Sequence, residues 1–346
     1  MPTPRQGFLS GPVTDSVFLI LAPLMGAGLF LLFRLNPFLF YPLPEPSFLR
    51  GRELVSNFSF MVIYAHLFIV FFRSHANPNI FSLHKLRFTL APALLFAAVF
   101  LSKKALAFTG ILAIYWDVYH SSLQTFGIGR IYDRLQGNDP RVGRRLDWIL
   151  NLLVYAGPVL GGVVLTDHFM LHHQYTAVFP TFETLLFQLP PRQHELRFAL
   201  IGLGLPFCAY YLYAYWRLSR QGYRVSRQKV ALFVTTAVVS IVCWGFNPFG
   251  SAFFIMNFFH AFQYFFLVWF VEQRHITSLF RVSNLPHGPS LALFLFVLIG
   301  ISYGVWSQLR SPFDVPEHAK ICVLLVISIL HFWYDGFIWS VRKGQV

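Results

Sequence analysis

The chain has 346 residues, of which 56% are hydrophobic and only 12% are charged. An ordinary soluble domain carries about 25% charged residues, so this composition argues strongly against a soluble enzyme. Intrinsic disorder is excluded, because it requires low hydrophobicity and high charge. A polytopic integral membrane protein remains. Its unusual feature is a set of 13 histidines, almost as many as the 14 acidic residues.

Apolar segments along the chain predict membrane-spanning helices, each of which needs about 20 mostly apolar residues. Ten candidates occur, at 17–33, 54–72, 88–101, 105–129, 147–165, 198–216, 229–246, 251–271, 290–307 and 319–341. The segment 88–101 is short, and a re-entrant piece there would change the count, which gives a range of eight to ten. The sequence therefore predicts an all-α helical bundle, with residues 1–346 forming a single transmembrane domain.

The distribution of Lys and Arg predicts the orientation of these helices, because cytoplasmic loops carry an excess of positive charge. With the N-terminus inside and the helices alternating, 18 Lys and Arg fall inside and 9 outside. Both termini are therefore expected in the cytoplasm, and a bacterial inner membrane is the expected location. The net charge of +13 is interpreted as this topology signal, not as nucleic-acid binding. The basic stretches 127–145 and 217–229 are expected to pair with anionic lipid headgroups.

Four apolar segments carry a histidine near mid-depth, namely His66, His120, His260 and His331. In the ten-helix topology these segments all run from outside to inside, and the four histidines lie roughly 14–22 Å below the outer surface. Because the hydrocarbon core is about 30 Å thick, one layer near its midplane could hold all four rings. Ionisable residues at this depth mark functional sites. Neutral imidazole suits iron, copper and zinc, so we expect an intramembrane metal site.

Polar side chains at helical spacing accompany three of these histidines. Asp117 and Gln124 share a helix face with His120, Asn257 and Gln263 share one with His260, and Asp335 follows His331 by four residues. Asp117, Gln124, Gln263 and Asp335 are the expected catalytic residues, which orient the rings or complete the metal's coordination sphere. Carboxylates would also allow a dinuclear centre. Tyr264, beside the polar face of its helix, is a candidate pocket wall.

A second histidine group follows the fifth apolar segment, in the stretch TDHFMLHHQY. His168, His172 and His173 have the HxxxHH spacing of the histidine boxes in membrane di-iron enzymes, although one box alone is present. The group is interpreted either as a second metal or substrate-gating site or as a solvated interfacial stretch. The remaining histidines have no partners at helical spacing and are expected at the surface: His75, His84, His194, His275, His287 and His318.

The motifs HSSLQ at His120, HAFQYF at His260 and HFWYD at His331, with His66 as the first of the set, resemble the Brp/Blh family of integral-membrane beta-carotene dioxygenases. The resemblance covers scattered motifs between about residues 60 and 340. Gln124 stands where the family has an acidic residue, and Gln263 and Tyr264 stand where it has a second histidine. The resemblance implies a non-haem iron centre inside a helical bundle that acts on an apolar chain.

These observations favour a membrane-embedded non-haem iron oxygenase for an apolar, lipid-like or isoprenoid substrate and O2. The reaction could be oxygenation, hydroxylation or desaturation. The centre could hold one or two Fe ions, or Cu or Zn instead of iron. A redox partner is also open. A haem-binding membrane protein with two of the histidines as axial ligands is the first alternative. A transporter that uses the His/Asp/Gln layer as a proton or ion relay is the second.

Overall fold

The computed structural model describes residues 7–43, 53–170, 192–310 and 316–340. Every regular element within these ranges is helical, and the only β-type pairing among them is an isolated bridge between Pro42 and Glu53. The predicted all-α class is therefore confirmed. His172 and His173 lie outside the described residues.

The helices are numbered here in chain order within the described ranges. They are α1 (Pro12–Asp15, continued by the π-helical turn Ser16–Ile20), α2 (Ala22–Arg34), α3 (Leu54–Ser74), α4 (Pro78–Leu83), α5 (Lys85–Leu101), α6 (Lys103–Leu135), α7 (Arg144–Gly161), α8 (Leu165–Met170), α9 (Gln193–Arg220), α10 (Arg227–Phe246), α11 (Phe249–Leu279), α12 (Gly288–Gln308) and α13 (Glu317–Ile338). A 3-10 turn, Pro37–Phe40, follows α2.

Six helices in the described part of the chain are long and apolar enough to cross a membrane: α3, α9, α10, α11, α12 and α13. Two consecutive pairs pass the same test only together, because α1 and α2 meet at a bend of 61° and α5 and α6 at 117°. Counting each pair as one span gives eight. The sharper bend follows the segment 88–101, where the short apolar run predicted a departure from a simple span.

The expected count of ten is not confirmed. The predicted span 147–165 corresponds to α7, which carries Arg144, Arg145 and Asp147 within its 18 residues. These charges make it too polar to qualify by composition as a membrane span. The cytoplasmic location of both termini stays a prediction.

The described residues form two compact units. The first unit contains those of residues 1–27, 114–256 and 339–346, and the second unit contains those of 28–113 and 257–338. The prediction of a single domain over 1–346 concerns the whole chain and stays a prediction.

In the second unit, α3 packs closely against α12 and also contacts α13. A Cβ on Gly304 would collide with the carbonyl oxygen of Met61, and a Cβ on Gly300 would lie 2.9 Å from the Ile69 side chain. Glycine at these positions lets the two helix backbones approach each other, as small residues do between membrane helices. These contacts, at Met61 and Ile69, lie on either side of His66 and fix the position of α3 there.

A buried charge pair lies at one end of the second unit. Arg73 of α3 donates to Glu272 of α11 and, at 3.0 Å, to the carbonyl oxygen of Ile338 at the end of α13. The other Glu272 oxygen accepts from Asn77 at 2.8 Å. Arg73 and Glu272 are each the first charged residue after a long apolar run in their helix. The sequence therefore offered a signal for this pair. This contact ties together the three helices that carry His66, His260 and His331.

The first unit has a buried ion cluster between α6, α7 and α10. Arg130 Nη1 lies 2.7 Å from both Asp133 and Asp147, and Lys229 Nζ lies 2.8 Å from Asp133 and 3.3 Å from Asp147. Two cations and two carboxylates make the cluster neutral, which is the condition for burying such charges. Arg130 and Lys229 are 3% and 1% exposed. The expectation that they pair with lipid headgroups is therefore wrong.

Candidate metal centre

Three histidines from three helices meet inside the second unit. His66 lies on α3, His260 on α11 and His331 on α13, each within about one or two turns of the middle of its helix. Their side chains are 1%, 0% and 0% exposed. Each offers a ring nitrogen, and the three ligand atoms all lie within 4.8 Å of one another. Three buried nitrogen donors at this spacing form a possible metal site.

The rings of this cluster are packed edge to face around His66. The centroid of the His66 ring lies 5.1 Å from that of His260 and 5.0 Å from that of His331, and both pairs of ring planes meet at 86°. A metal bonded to three imidazoles at about 2.0–2.1 Å holds their nitrogens roughly 3.3 Å apart. The observed spacing is therefore at most about 1.5 Å wider than that of a metal-bound set.

His66 supplies the strongest sign that a ligand belongs here. Both of its ring nitrogens are buried, and neither makes a hydrogen bond of acceptable geometry to a described residue. The carbonyl groups of Val62 and Ile63, in the preceding helical turn, approach the ring without completing such a bond. An unsatisfied buried polar group costs about 1–3 kcal/mol. A metal bound to one of these nitrogens would remove much of that cost.

His331 is oriented by the backbone of α3. Its Nδ1 atom lies 3.2 Å from the carbonyl oxygen of Leu67. A carbonyl oxygen only accepts hydrogen bonds, so this contact places a ring proton on Nδ1. Metal-ligating histidines typically use the second nitrogen in this way. The contact fixes both the tautomer and the direction of the ring.

Asp335 and Tyr264 extend the cluster. Asp335 Oδ2 lies 3.6 Å from His331 Nε2, the arrangement that the i,i+4 spacing predicts. That distance exceeds an ordinary hydrogen bond, and it places the carboxylate beside the ring nitrogen. Tyr264, which is 1% exposed, donates from its hydroxyl to Asp335 Oδ1 at 2.7 Å. This bond holds the carboxylate at the edge of the cluster.

The remaining candidates on α11 are also buried. Asn257 and Gln263, three residues before and after His260, are 4% and 0% exposed. The helical spacing that grouped them with His260 is therefore accompanied by burial of all three side chains.

The fourth predicted ligand, His120, belongs to the first unit. It lies on α6 and is 3% exposed, while Asp117 and Gln124 on the same helix are half-buried. The cluster of the second unit thus consists of His66, His260 and His331, and the metal site proposed below rests on these three. The roles of Asp117, His120 and Gln124 stay predictions.

The histidines outside the cluster differ in part from expectation. His168, expected either at a second site or in a solvated stretch, is 5% exposed, packs against Trp244 and Phe249, and bonds through Nδ1 to the Val164 carbonyl at 2.9 Å. His75 is half-buried instead of at the surface and bonds to the Phe88 carbonyl at 3.0 Å. His194, His287 and His318 are exposed, as predicted.

The fold and the site define an all-α protein with apolar helices of membrane-spanning length and a buried three-histidine cluster. No protein-family profile, no curated protein and no solved structure matches the chain.

Proposed function

We propose that the protein is a membrane-embedded, iron-dependent oxygenase whose metal is held by His66, His260 and His331. The observation that supports this most is the meeting of three fully buried imidazoles from three separate helices, with ligand atoms within 4.8 Å. Polar side chains at membrane depth are costly, so three of them in one place indicate a function. The resemblance of the histidine motifs to integral-membrane dioxygenases points to the same class of protein.

The donor set favours iron. Imidazole nitrogens suit iron, a carboxylate, here Asp335, lies beside them, and the cluster contains no thiolate. The packing of the rings favours a bare ion over haem, because the His66 ring contacts both neighbours directly at about 5 Å between centroids. A porphyrin between two of these rings would have to separate the helices.

The residues of the chain supply the surroundings of the ion. Iron, when bound, would supply the activation of dioxygen. The Leu67 carbonyl orients His331, and Tyr264 orients Asp335, so the donors are held in place before any substrate arrives. The three histidine rings are 0–1% exposed, which keeps bulk water away from the donors. Because these helices are apolar and of membrane-spanning length, a lipid-like or isoprenoid substrate can approach from the bilayer.

Metal analysis of the purified protein tests this function. We expect near-stoichiometric iron in the wild-type protein and at least a tenfold lower iron content in His260→Ala. His287→Ala, which removes an exposed histidine of the same unit, is the matched control and should keep the iron. Circular dichroism establishes that each variant is folded.

The same samples separate the alternatives. A Soret band in the visible spectrum would favour a haem protein. Wild-type protein with no iron, copper, manganese or zinc would contradict a metal-dependent enzyme and favour a proton or ion relay. For the oxygenase itself, we expect O2 uptake with an isoprenoid substrate to disappear in His260→Ala and to persist in His287→Ala.

A further inference from the structure

The first unit has a surface cavity of about 500 Å³ between the start of α7 and the end of α9. Four arginines line it, namely Arg141, Arg144, Arg145 and Arg217. All four are exposed, and no acidic residue contributes to the lining. A cavity with four positive charges and no negative charge in its wall is suited to an anion.

Two acidic residues near this cavity, Asp139 and Asp147, accept hydrogen bonds from other groups. Asp147, one turn into α7, accepts from Arg130 and from the hydroxyls of Tyr211 and Tyr215. Asp139 accepts from the backbone N–H of Arg141 at 2.8 Å. Among the described residues, none of the four cavity arginines forms an ion pair. Arg144 lies over the ring of Phe126, 5.6 Å from its centroid. The guanidinium groups thus remain available to a ligand.

The surroundings of the cavity match a membrane interface. The α9 helix is one of the candidate spans, and the cavity lies at its C-terminal end, which closes with Arg217 and Arg220. Tyr213 and Trp216 in this last part of α9 are 53% and 60% exposed. Exposed Tyr and Trp next to basic residues are typical of the headgroup level of a bilayer.

We propose that this cavity binds the phosphate group of an anionic phospholipid headgroup. Arginine pairs with phosphate through two parallel hydrogen bonds, which makes it the preferred residue for such recognition. A basic pocket beside membrane helices is the kind of site in which anionic headgroups bind. The apolar lining residues Leu146 and Leu218 would contact the adjoining glycerol and upper acyl chain. This site is in the first unit and does not depend on the metal centre.

Binding of fluorescent phosphatidylglycerol to the full-length protein in a neutral detergent tests the proposal. We expect saturable binding to the wild-type protein, little binding of phosphatidylcholine, and at least a tenfold weaker affinity for phosphatidylglycerol in Arg145→Gln/Arg217→Gln. The control Arg224→Gln/Arg274→Gln removes the same charge at exposed positions outside the cavity and should bind as the wild-type protein does.

Competition by glycerol phosphate identifies the source of the phosphate. Displacement only by phosphatidylglycerol supports a lipid headgroup, whereas displacement by glycerol phosphate at equal concentration supports a phosphate site that serves a soluble compound. Equal binding by the two double variants, or equal affinity for phosphatidylglycerol and phosphatidylcholine, would overturn the proposal. Circular dichroism of both variants distinguishes loss of the site from loss of the fold.

Discussion

His331 Nδ1 lies 3.2 Å from the carbonyl oxygen of Leu67, the residue that directly follows His66. One short stretch of α3 therefore presents one imidazole to the cluster and orients another. The bond also couples α3 to α13 at the level of the site. A shift of either helix would change the direction of the His331 ring, so the packing of these two helices controls the geometry of the donors.

Asp335 is expected to strengthen metal binding through its position beside His331. Removal of an outer partner of a metal ligand typically lowers metal affinity by 10- to 100-fold. We predict this loss for Asp335→Asn, and a smaller loss for Tyr264→Phe, which releases the carboxylate from its hydrogen bond. Titration of the metal-free protein with iron(II) measures the affinity. Asp167→Asn, at an exposed position, should bind iron as the wild-type protein does.

His66 is expected to affect stability in opposite directions with and without metal. Its buried ring nitrogens lack hydrogen bonds within the described residues, so His66→Leu should raise the midpoint of thermal unfolding when a chelator is present. In the wild-type protein, iron at 100 times its Kd should add about 2.7 kcal/mol of stability. The leucine variant should gain none of it. An equal iron-dependent rise in both proteins would show that His66 is not a ligand.

Lys229 is expected to be essential for the stability of the first unit. Lys229→Met leaves the carboxylates Asp133 and Asp147 with Arg130 as their one remaining cation, and breaking a buried ion cluster in this way costs about 3–5 kcal/mol. Denaturant titration in detergent measures the free energy of unfolding. Addition of Asp133→Asn restores charge balance and should recover part of the loss. A double variant no more stable than Lys229→Met would contradict this account.

His75 is expected to make stability depend on pH. Burial lowers its pKa from the ordinary value of 6.5, and the hydrogen bond to the Phe88 carbonyl opposes only part of that effect. Well above pH 6.5 the ring is neutral in both the folded and the unfolded protein, so it does not reduce the free energy of unfolding. As the pH falls below 6.5, the unfolded chain takes up a proton that the folded protein resists, and the unfolding midpoint should fall. This fall should be shallower in His75→Gln than in the control His287→Gln.

The helical class and the three converging histidines follow from features that the sequence displays. Composition indicates membrane helices, and equal depth predicted one layer for His66, His120, His260 and His331, of which the structure brings His66, His260 and His331 together in the second unit. The i,i+4 spacing also predicted Asp335 beside His331, but the backbone contact of His331 had no comparable signal. The partner of His331 is a backbone carbonyl, which every residue possesses, so no side-chain pattern identifies Leu67.

The departures from expectation have physical causes as well. Arg130 and Lys229 lie in basic runs that predicted contact with lipid headgroups. Asp133 is only three positions from Arg130 but 96 positions from Lys229, so the chain pattern does not reveal that one carboxylate is shared by both cations. Hydropathy placed α7 among the spans, whereas Asp147 in its first turn belongs to the buried cluster and Arg144 and Arg145 are exposed. The short apolar run 88–101 predicted a departure from a simple span but not its angle; the 117° bend lies at Ser102, whose hydroxyl accepts from the Ala105 N–H at 3.2 Å.

The separation of Asp133 and Lys229 along the chain has a consequence for synthesis at the ribosome. At roughly 5–20 residues per second, Lys229 is added about 5–20 s after Asp133. During that interval α6 exists without Lys229, the second cation of the cluster. Arg130, three residues from Asp133 on the same helix and 2.7 Å from its carboxylate, is present from the start. The nascent helix therefore carries its own counter-ion until α10 emerges.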